Sequence, residues 1–106
     1  MTRVVVTGAA GAIGSRVVRR LAAERDTVEV LAVDRSGTAI DPSVESKRVD
    51  LAAGPLDSVF AGADVVVHLA SATNPEVSEP AAEELDLAIT RRVLDAAAEA
   101  GIRQVI

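Results

Sequence analysis

The chain predicts an α/β fold in which a parallel sheet carries helices on both faces, and three observations predict it. The run Val4-Val5-Val6-Thr7 is apolar and β-branched, as a strand covered on both faces requires. It passes straight into Gly8-Ala9-Ala10-Gly11-Ala12-Ile13-Gly14, and from there into a segment where Ile13, Val17 and Leu21 recur at helical spacing. Further along, apolar runs and helical patterns alternate with short connections, which gives parallel strands joined by right-handed crossovers. With a glycine-rich turn after the first strand, the expected strand order is 3-2-1-4-5, truncated in strand five. The ligand crevice then lies at the carboxyl ends of strands one and four, where the order reverses.

Taken in order, each element has its own signal. Helix one should run from about Ala12 to Glu24 or Arg25, with Asp26-Thr27 turning the chain into Val28-Glu29-Val30-Leu31-Ala32-Val33. That second strand is mostly apolar, and Asp34 closes it twenty positions beyond Gly14. Ser36-Gly37-Thr38 through Asp41-Pro42-Ser43 is turn-rich and reads as a surface connection. A short third strand follows around Lys47 to Val49 and ends in Asp50-Leu51. Ala53-Gly54-Pro55 opens a short helix with Leu56, Val59 and Phe60 on its buried side, and Gly62 ends it at a position suited to a left-handed cap. Val65-Val66-Val67-His68-Leu69 is the least ambiguous strand. Asn74-Pro75 and Pro80 break regular structure between Ser71 and Pro80. From about Ala81 the spacing of Leu85, Ile89, Val93 and Ala96 or Ala97 marks a long helix capped by Gly101, and Gln104-Val105-Ile106 begins a further strand.

Composition narrows the function classes. At 106 residues, 49% hydrophobic and 25% charged, the chain reads as one soluble globular unit whose core is built from Val, Leu, Ile and Ala, with Phe60 its only aromatic. Met1-Thr2-Arg3 runs directly into the first strand and no apolar run approaches the roughly 18 residues of a membrane span, so a cytoplasmic location is expected. Without cysteine there is no disulfide framework, thiolate nucleophile or cysteine metal site. The net charge of −5, with acidic residues gathered from Glu76 to Asp86, opposes a polyanionic partner. Arg16, Arg19 and Arg20 alternate with apolar positions and read as the solvated face of helix one. Nucleic acid and membrane are therefore not expected as partners.

The glycine turn points to a dinucleotide. Gly8 lets the chain leave the strand through a tight turn, Gly11 lets backbone approach a pyrophosphate, and Gly14 lets the helix press close. The pyrophosphate would face the free N–H groups and positive end of that helix, through the first-turn residues Ala12 and Ile13 as well. The spacing Thr7-Gly8-x-x-Gly11-x-x-Gly14 resembles the cofactor loop of the extended short-chain dehydrogenase/reductase superfamily, in its NAD-dependent epimerase/dehydratase family. Three further stretches carry the same resemblance: Ala32-Val33-Asp34-Arg35, the run from Gly62 to Ser71, and Thr90 to Ile102. It spans essentially the whole chain but only the N-terminal half of such a protein. Residues 1–106 then form one NAD-binding domain of Rossmann type, without the catalytic and substrate-binding part.

Asp34 can accept hydrogen bonds from the adenosine ribose hydroxyls of NAD. A 2′-phosphate at about 4 Å would be opposed by roughly 4 kcal/mol per unit charge at an effective dielectric of 20, which favours NAD over NADP. Arg35 works the other way, because its guanidinium could pair with that phosphate. A strand-end carboxylate that merely starts a turn is the alternative for Asp34. The resemblance implies that Asp50 meets the adenine amine and that Leu51 offers backbone or side chain to the ring, although spacing alone makes Asp50 equally a turn former. It implies too that Leu69, Ala70 and Ser71 let the nicotinamide half pass close to the backbone. His68 lies inside a strand with no second histidine for a metal, and reads as a hydrogen-bonded core residue rather than a general base. Ser71 and Thr73 have no partner base and do not read as nucleophiles.

Two departures from the family pattern matter. Where members carry Asn-x-x-Gly-Thr, this chain has Asp86-Leu87-Ala88-Ile89-Thr90, which removes the asparagine that supports a relay to the catalytic lysine and adds bulk at Ile89. Members also continue to a serine and a Tyr-x-x-x-Lys pair, whereas these 106 residues hold no tyrosine and end at Ile106. The expectation is the cofactor-binding part of an epimerase or dehydratase that acts on a sugar-nucleotide or similar hydroxyl or carbonyl substrate. Alone, it should bind without turnover. A non-catalytic dinucleotide-sensing module is the alternative, and the long helix after Ala81 is compatible with a homodimer.

Overall fold

The structure is a computed structural model, and it describes residues 1–37, 40–71 and 78–106. Its elements are β1 (Thr2–Thr7), α1 (Ala12–Ala22), β2 (Val28–Asp34), β3 (Glu45–Arg48), α2 (Asp57–Phe60), β4 (Val65–His68), α3 (Glu79–Glu99) and β5 (Gln104–Val105). The five strands form one sheet in the order β3-β2-β1-β4-β5, and every pairing is parallel. This is the Rossmann-type arrangement expected from the alternation of strands and helices.

Strand alternation divides the core in two. Val4 and Val6 of β1, with Val30 and Ala32 of β2, face α1 and meet Val18 there. Val5, Leu31, Val33 and Val66 point the other way and pack with Leu56, Val59 and Phe60 from the α2 segment and Val93 and Ala97 from α3. Phe60 is the largest fully buried side chain. At about 25 cal/mol per Å² of apolar surface, each such side chain contributes roughly 1.5–3 kcal/mol. β1 sits between β2 and β4, so burial on both faces explains its unbroken β-branched run.

Several boundaries differ from the sequence expectation, each for a local reason. α1 ends at Ala22 because the Glu24, Thr27 and Val28 amides fold back in a turn, donating to the Leu21 and Glu24 carbonyls. Its buried line is Gly14 and Val18, with Val17 and Leu21 half-buried, while Ile13 is 68% exposed. The expected line through Ile13 is thus corrected by one position, since the helix is seated on its glycine. β3 begins two residues before the expected Lys47 and is exposed throughout, a charged edge strand that no hydrophobic period marks. Pro80 does not break structure; it occupies the first turn of α3, where a missing N–H costs nothing, behind Ser78, whose hydroxyl accepts from the Ala81 amide at 3.4 Å. Asn74-Pro75 and Thr73 lie outside the described residues. Ile89 is accommodated, half-buried against the α2–α3 side of the core. No helix among the described residues is long and apolar enough to cross a membrane.

Candidate dinucleotide-binding site

At the carboxyl end of β1 the backbone leaves no room for side chains. Gly8 holds φ +66°, and a Cβ there would lie 2.6 Å from the Ala70 nitrogen and 2.7 Å from the Leu69 carbonyl. A Cβ on Gly14 would lie 2.0 Å from the Gly8 oxygen. Gly14 therefore presses α1 onto the turn itself. Gly11 differs: its φ of −71° suits any residue, and an added Cβ would meet only the Gly8 oxygen at 3.2 Å. The fold needs Gly8 and Gly14, whereas Gly11 keeps space open above the turn.

Gly11 is also the N-cap of α1, so no side chain caps the helix, and its first turn contains no acidic residue. The Ser15 amide already donates to the Gly11 carbonyl at 2.9 Å, which leaves the amides of Ala12, Ile13 and Gly14 as the open first turn. Such an end, with the positive pole of the helix dipole behind it, accepts an anion. The exposure of Ile13 places that first turn at the surface of the crevice.

Asp34 closes the other side of the turn. Its Oδ2 accepts from the Ala10 amide at 3.0 Å and its Oδ1 from the Ser36 amide at 2.9 Å. Burial acts to raise its pKa, but the Ser36 and Ala10 amides, the Ser36 hydroxyl and the Arg35 charge together outweigh it and hold the carboxyl below the usual carboxylate value. Both oxygens keep further acceptor capacity. Arg35 is exposed, and its carbonyl accepts from Arg48 Nε at 3.1 Å, so the β2–β3 edge brings two arginines beside Asp34.

Asp50 forms a turn, accepting from the Ala52 amide at 3.0 Å through Oδ1 and from the Gly54 amide at 2.6 Å through its carbonyl. Leu51 is 6% exposed and belongs to the core, so its backbone is what this loop can offer to a ligand. Arg92 of α3 grips the same loop, donating to the Leu51 carbonyl and, at 2.8 Å, to the Gly54 carbonyl. Sequence reasoning missed Arg92, because an arginine on a helix ordinarily faces solvent.

Thr7 was also missed as more than a strand end. It is fully buried, and parallel register sets it beside His68. Its hydroxyl lies 2.7 Å from His68 Nδ1, 3.1 Å from the Leu69 amide and 3.3 Å from the Ala70 amide. His68 Nε2 lies 3.5 Å from the Thr90 hydroxyl. Burial pushes the His68 pKa down, partly opposed by the Asp86 charge, so the ring is a hydrogen-bonded neutral imidazole at pH 7. Leu69 and Ala70 are thereby pinned against Gly8, and Ser71 follows, exposed. A polar residue directly before the first glycine was the signal that could have found this link.

The sites of the sequence reading thus fall in two groups. Gly8, Gly11, Ala12, Ile13, Gly14, Asp34, Leu69 and Ala70 meet around one turn. Asp50 and Leu51 stand on the neighbouring loop held by Arg92, and Arg35 and Ser71 lie exposed at the rim of the first group, directly after Asp34 and Ala70. No group of three or more metal-ligating side chains occurs among the described residues. Surface hollows lined by Met1, Val28 and Glu45, or by Arg19, Asp41 and Ser43, lie away from this crevice.

Comparison with known proteins agrees with this fold. L-arabinose 1-dehydrogenase (NAD(P)(+)) of Haloferax volcanii is 34% identical over 106 residues, which is 100% of this chain and 40% of that protein. MoeE5 in complex with UDP-glucose and NAD superposes with a TM-score of 0.81 at 32% identity, over 97% of this chain and 34% of its own. The UDP-glucose 4-epimerase of Thermus thermophilus, complexed with NAD, gives a TM-score of 0.81 at 30% identity, over 98% of this chain and 36% of its own. The chain therefore spans well under half the length of these relatives. The profile of the NAD dependent epimerase/dehydratase family matches residues 4–106, and the chain belongs to that family.

Proposed function

We propose that these residues are the NAD-binding part of an NAD-dependent oxidoreductase, epimerase or dehydratase whose substrate is a sugar, a sugar-nucleotide or a similar hydroxyl or carbonyl compound. One observation carries the reading. The uncapped first turn of α1 lies over a turn emptied of side chains at Gly8, Gly11 and Gly14, with ionised Asp34 clamped beside it. The Ala12, Ile13 and Gly14 amides would hold the pyrophosphate, Asp34 the adenosine ribose, the Asp50–Leu51 loop the adenine, and Leu69 to Ser71 the passage toward the nicotinamide.

The nicotinamide, when bound, supplies a hydride acceptor or donor. The chain's own residues orient it and keep Asp34 charged. These 106 residues hold no tyrosine, and Lys47 lies on the exposed edge strand β3, so they bind without completing a proton transfer. Asp34 favours NAD over NADP, and Arg35 and Arg48 moderate that preference. A homodimer through α3 belongs to the same reading, because Leu87 and Leu94 are 57% and 49% exposed on that helix.

Titration calorimetry with NAD tests the assignment. Gly11→Val should abolish binding and Asp34→Ala should weaken it at least tenfold, whereas unchanged affinities would remove the cofactor reading. An NADH-linked assay of the full-length protein with free sugars and UDP-sugars then separates a dehydrogenase from an epimerase or a sensor. Sedimentation of Leu94→Glu tests the dimer, which should dissociate.

A further inference from the structure

The Thr7–His68 link contains more information than its distances state. A threonine hydroxyl has one proton and two lone pairs. Backbone amides only donate, so the Leu69 N–H at 3.1 Å, shared with the Thr7 carbonyl at 3.3 Å, and the Ala70 N–H at 3.3 Å occupy both lone pairs of the Thr7 hydroxyl. The third contact, 2.7 Å to His68 Nδ1, must then be made with the hydroxyl proton. Nδ1 is consequently bare, the ring proton sits on Nε2, and Nε2–H points to Thr90 Oγ1. We propose that His68 is a positioning residue: as the Nε2–H tautomer it takes the Thr7 hydroxyl proton, leaving the Thr7 oxygen to hold the Leu69 and Ala70 amides against the phosphate turn.

The alternative states of the ring cannot do this. With a proton on Nδ1, as in the other tautomer or in the imidazolium, two donors would face each other across 2.7 Å. Thr7 would have to turn its proton away and accept from the ring, and it would then give up either the Ala70 amide, for which it is the acceptor, or the Leu69 amide, which would be left with the Thr7 carbonyl at 3.3 Å. Either amide belongs to the backbone lying against Gly8, where an added Cβ would already be 2.6 Å from the Ala70 nitrogen, so its release loosens the wall of the crevice. Around the ring, α3 contributes the Asp86 charge and Thr90, β1 contributes Thr7, and the segment after β5 contributes the Ile106 carbonyl, which accepts from the His68 amide at 2.9 Å. Asp86 is the charged group among these, and it favours protonation of His68.

This inference rests on the NAD-binding reading for its effect on affinity but not for its structural content, and the experiment separates the two. The full-length protein is labelled with 15N-histidine, and His68 is identified as the signal lost in His68→Asn. At pH 7.5 the expected spectrum shows a bare Nδ1 and a protonated Nε2. The protection of the Leu69 and Ala70 amides, referred to the intrinsic exchange rate at each pH, should fall as the ring protonates at acid pH, and in Thr7→Val at every pH, by about fivefold or more at Ala70 and by less at Leu69, which keeps the Thr7 carbonyl. The NAD dissociation constant should rise by a similar factor in step with protonation of the ring as the 15N signals report it, and Asp34→Asn should show the same pH step, which keeps the titration of Asp34 apart from that of His68. His68→Asn, whose side-chain oxygen can still accept from Thr7, should keep the affinity and lose the pH dependence. A protonated Nδ1 at pH 7.5, or exchange at Leu69 and Ala70 indifferent to the ring, would overturn the proposal. Absence of NAD binding at any pH, with the tautomer and the exchange as expected, would overturn the cofactor reading instead and leave the hydrogen-bond assignment standing.

Discussion

The two walls of the crevice are built by opposite means. On the α1 side the shape comes from missing side chains: Gly8 and Gly14 let backbone touch backbone, and Gly11 leaves the helix end uncapped. Opposite and beside it, the shape comes from side chains that reach main-chain groups: Thr7 to Leu69 and Ala70, Asp34 to Ala10 and Ser36, Arg92 to Leu51 and Gly54. A close backbone approach admits one residue type, while a hydrogen bond can be made by several. The first wall should thus be intolerant and the second graded.

Substitutions sharpen the contrast, and the largest effect belongs to Gly14→Ala. A Cβ 2.0 Å from a backbone oxygen forces α1 off the turn, and about 3 kcal/mol or more of stability should be lost in urea denaturation. Gly8→Ala follows closely, since its Cβ meets backbone at 2.6 Å in a left-handed conformation. Arg92→Leu leaves the Leu51 and Gly54 carbonyls unpaired, and about 2 kcal/mol should be lost on the same measurement. Thr7→Val strands the Ala70 amide and leaves the Leu69 amide only the residue 7 carbonyl, and should cost about 1–2 kcal/mol, while Thr7→Ser should recover most of it. Gly11→Ala breaks the pattern within the glycine wall: stability should change by less than about 1 kcal/mol, yet NAD affinity should fall at least tenfold.

The smallest effect is a pH dependence. Asp34 titrates lower in the folded chain than its ordinary value of 3.8, so its contribution to stability is present above that value and disappears as pH falls through the folded one. Asp34→Asn should flatten the acid limb of the stability curve in that window and leave the neutral region nearly level. An unchanged acid limb would mean that the Ala10 and Ser36 amides do not favour the carboxylate.

This contrast also explains what was legible in the sequence. Gly8, Gly11 and Gly14 announced themselves because glycine is costly wherever it is not needed. The strand order followed from the alternation of strands and helices and from the glycine-rich turn after the first strand. An exposed, charged edge strand carries no period, so the pattern starts β3 two residues late, and spacing cannot tell which of two adjacent lines a helix rests upon, so Ile13 reads as buried where it is exposed. Thr7 and Arg92 were hidden for another reason. Their partners are main-chain groups 62 and 41 positions away, and only the fold brings these together.

The central place of β1 has a consequence for how the chain is made. β1 leaves the ribosome ahead of its two neighbours and can pair with β2 early, but its other edge has no partner until Val65–His68 is synthesised. The Arg3 amide waits for the Asp64 carboxylate and Thr7 for His68, each separated by 61 residues, so closure of that loop precedes any reward from it. The crevice therefore cannot exist on the nascent chain before β4 emerges. Ribosome-bound chains stalled ahead of Val65 should be cut readily by protease within β1, and chains that expose β4 should resist.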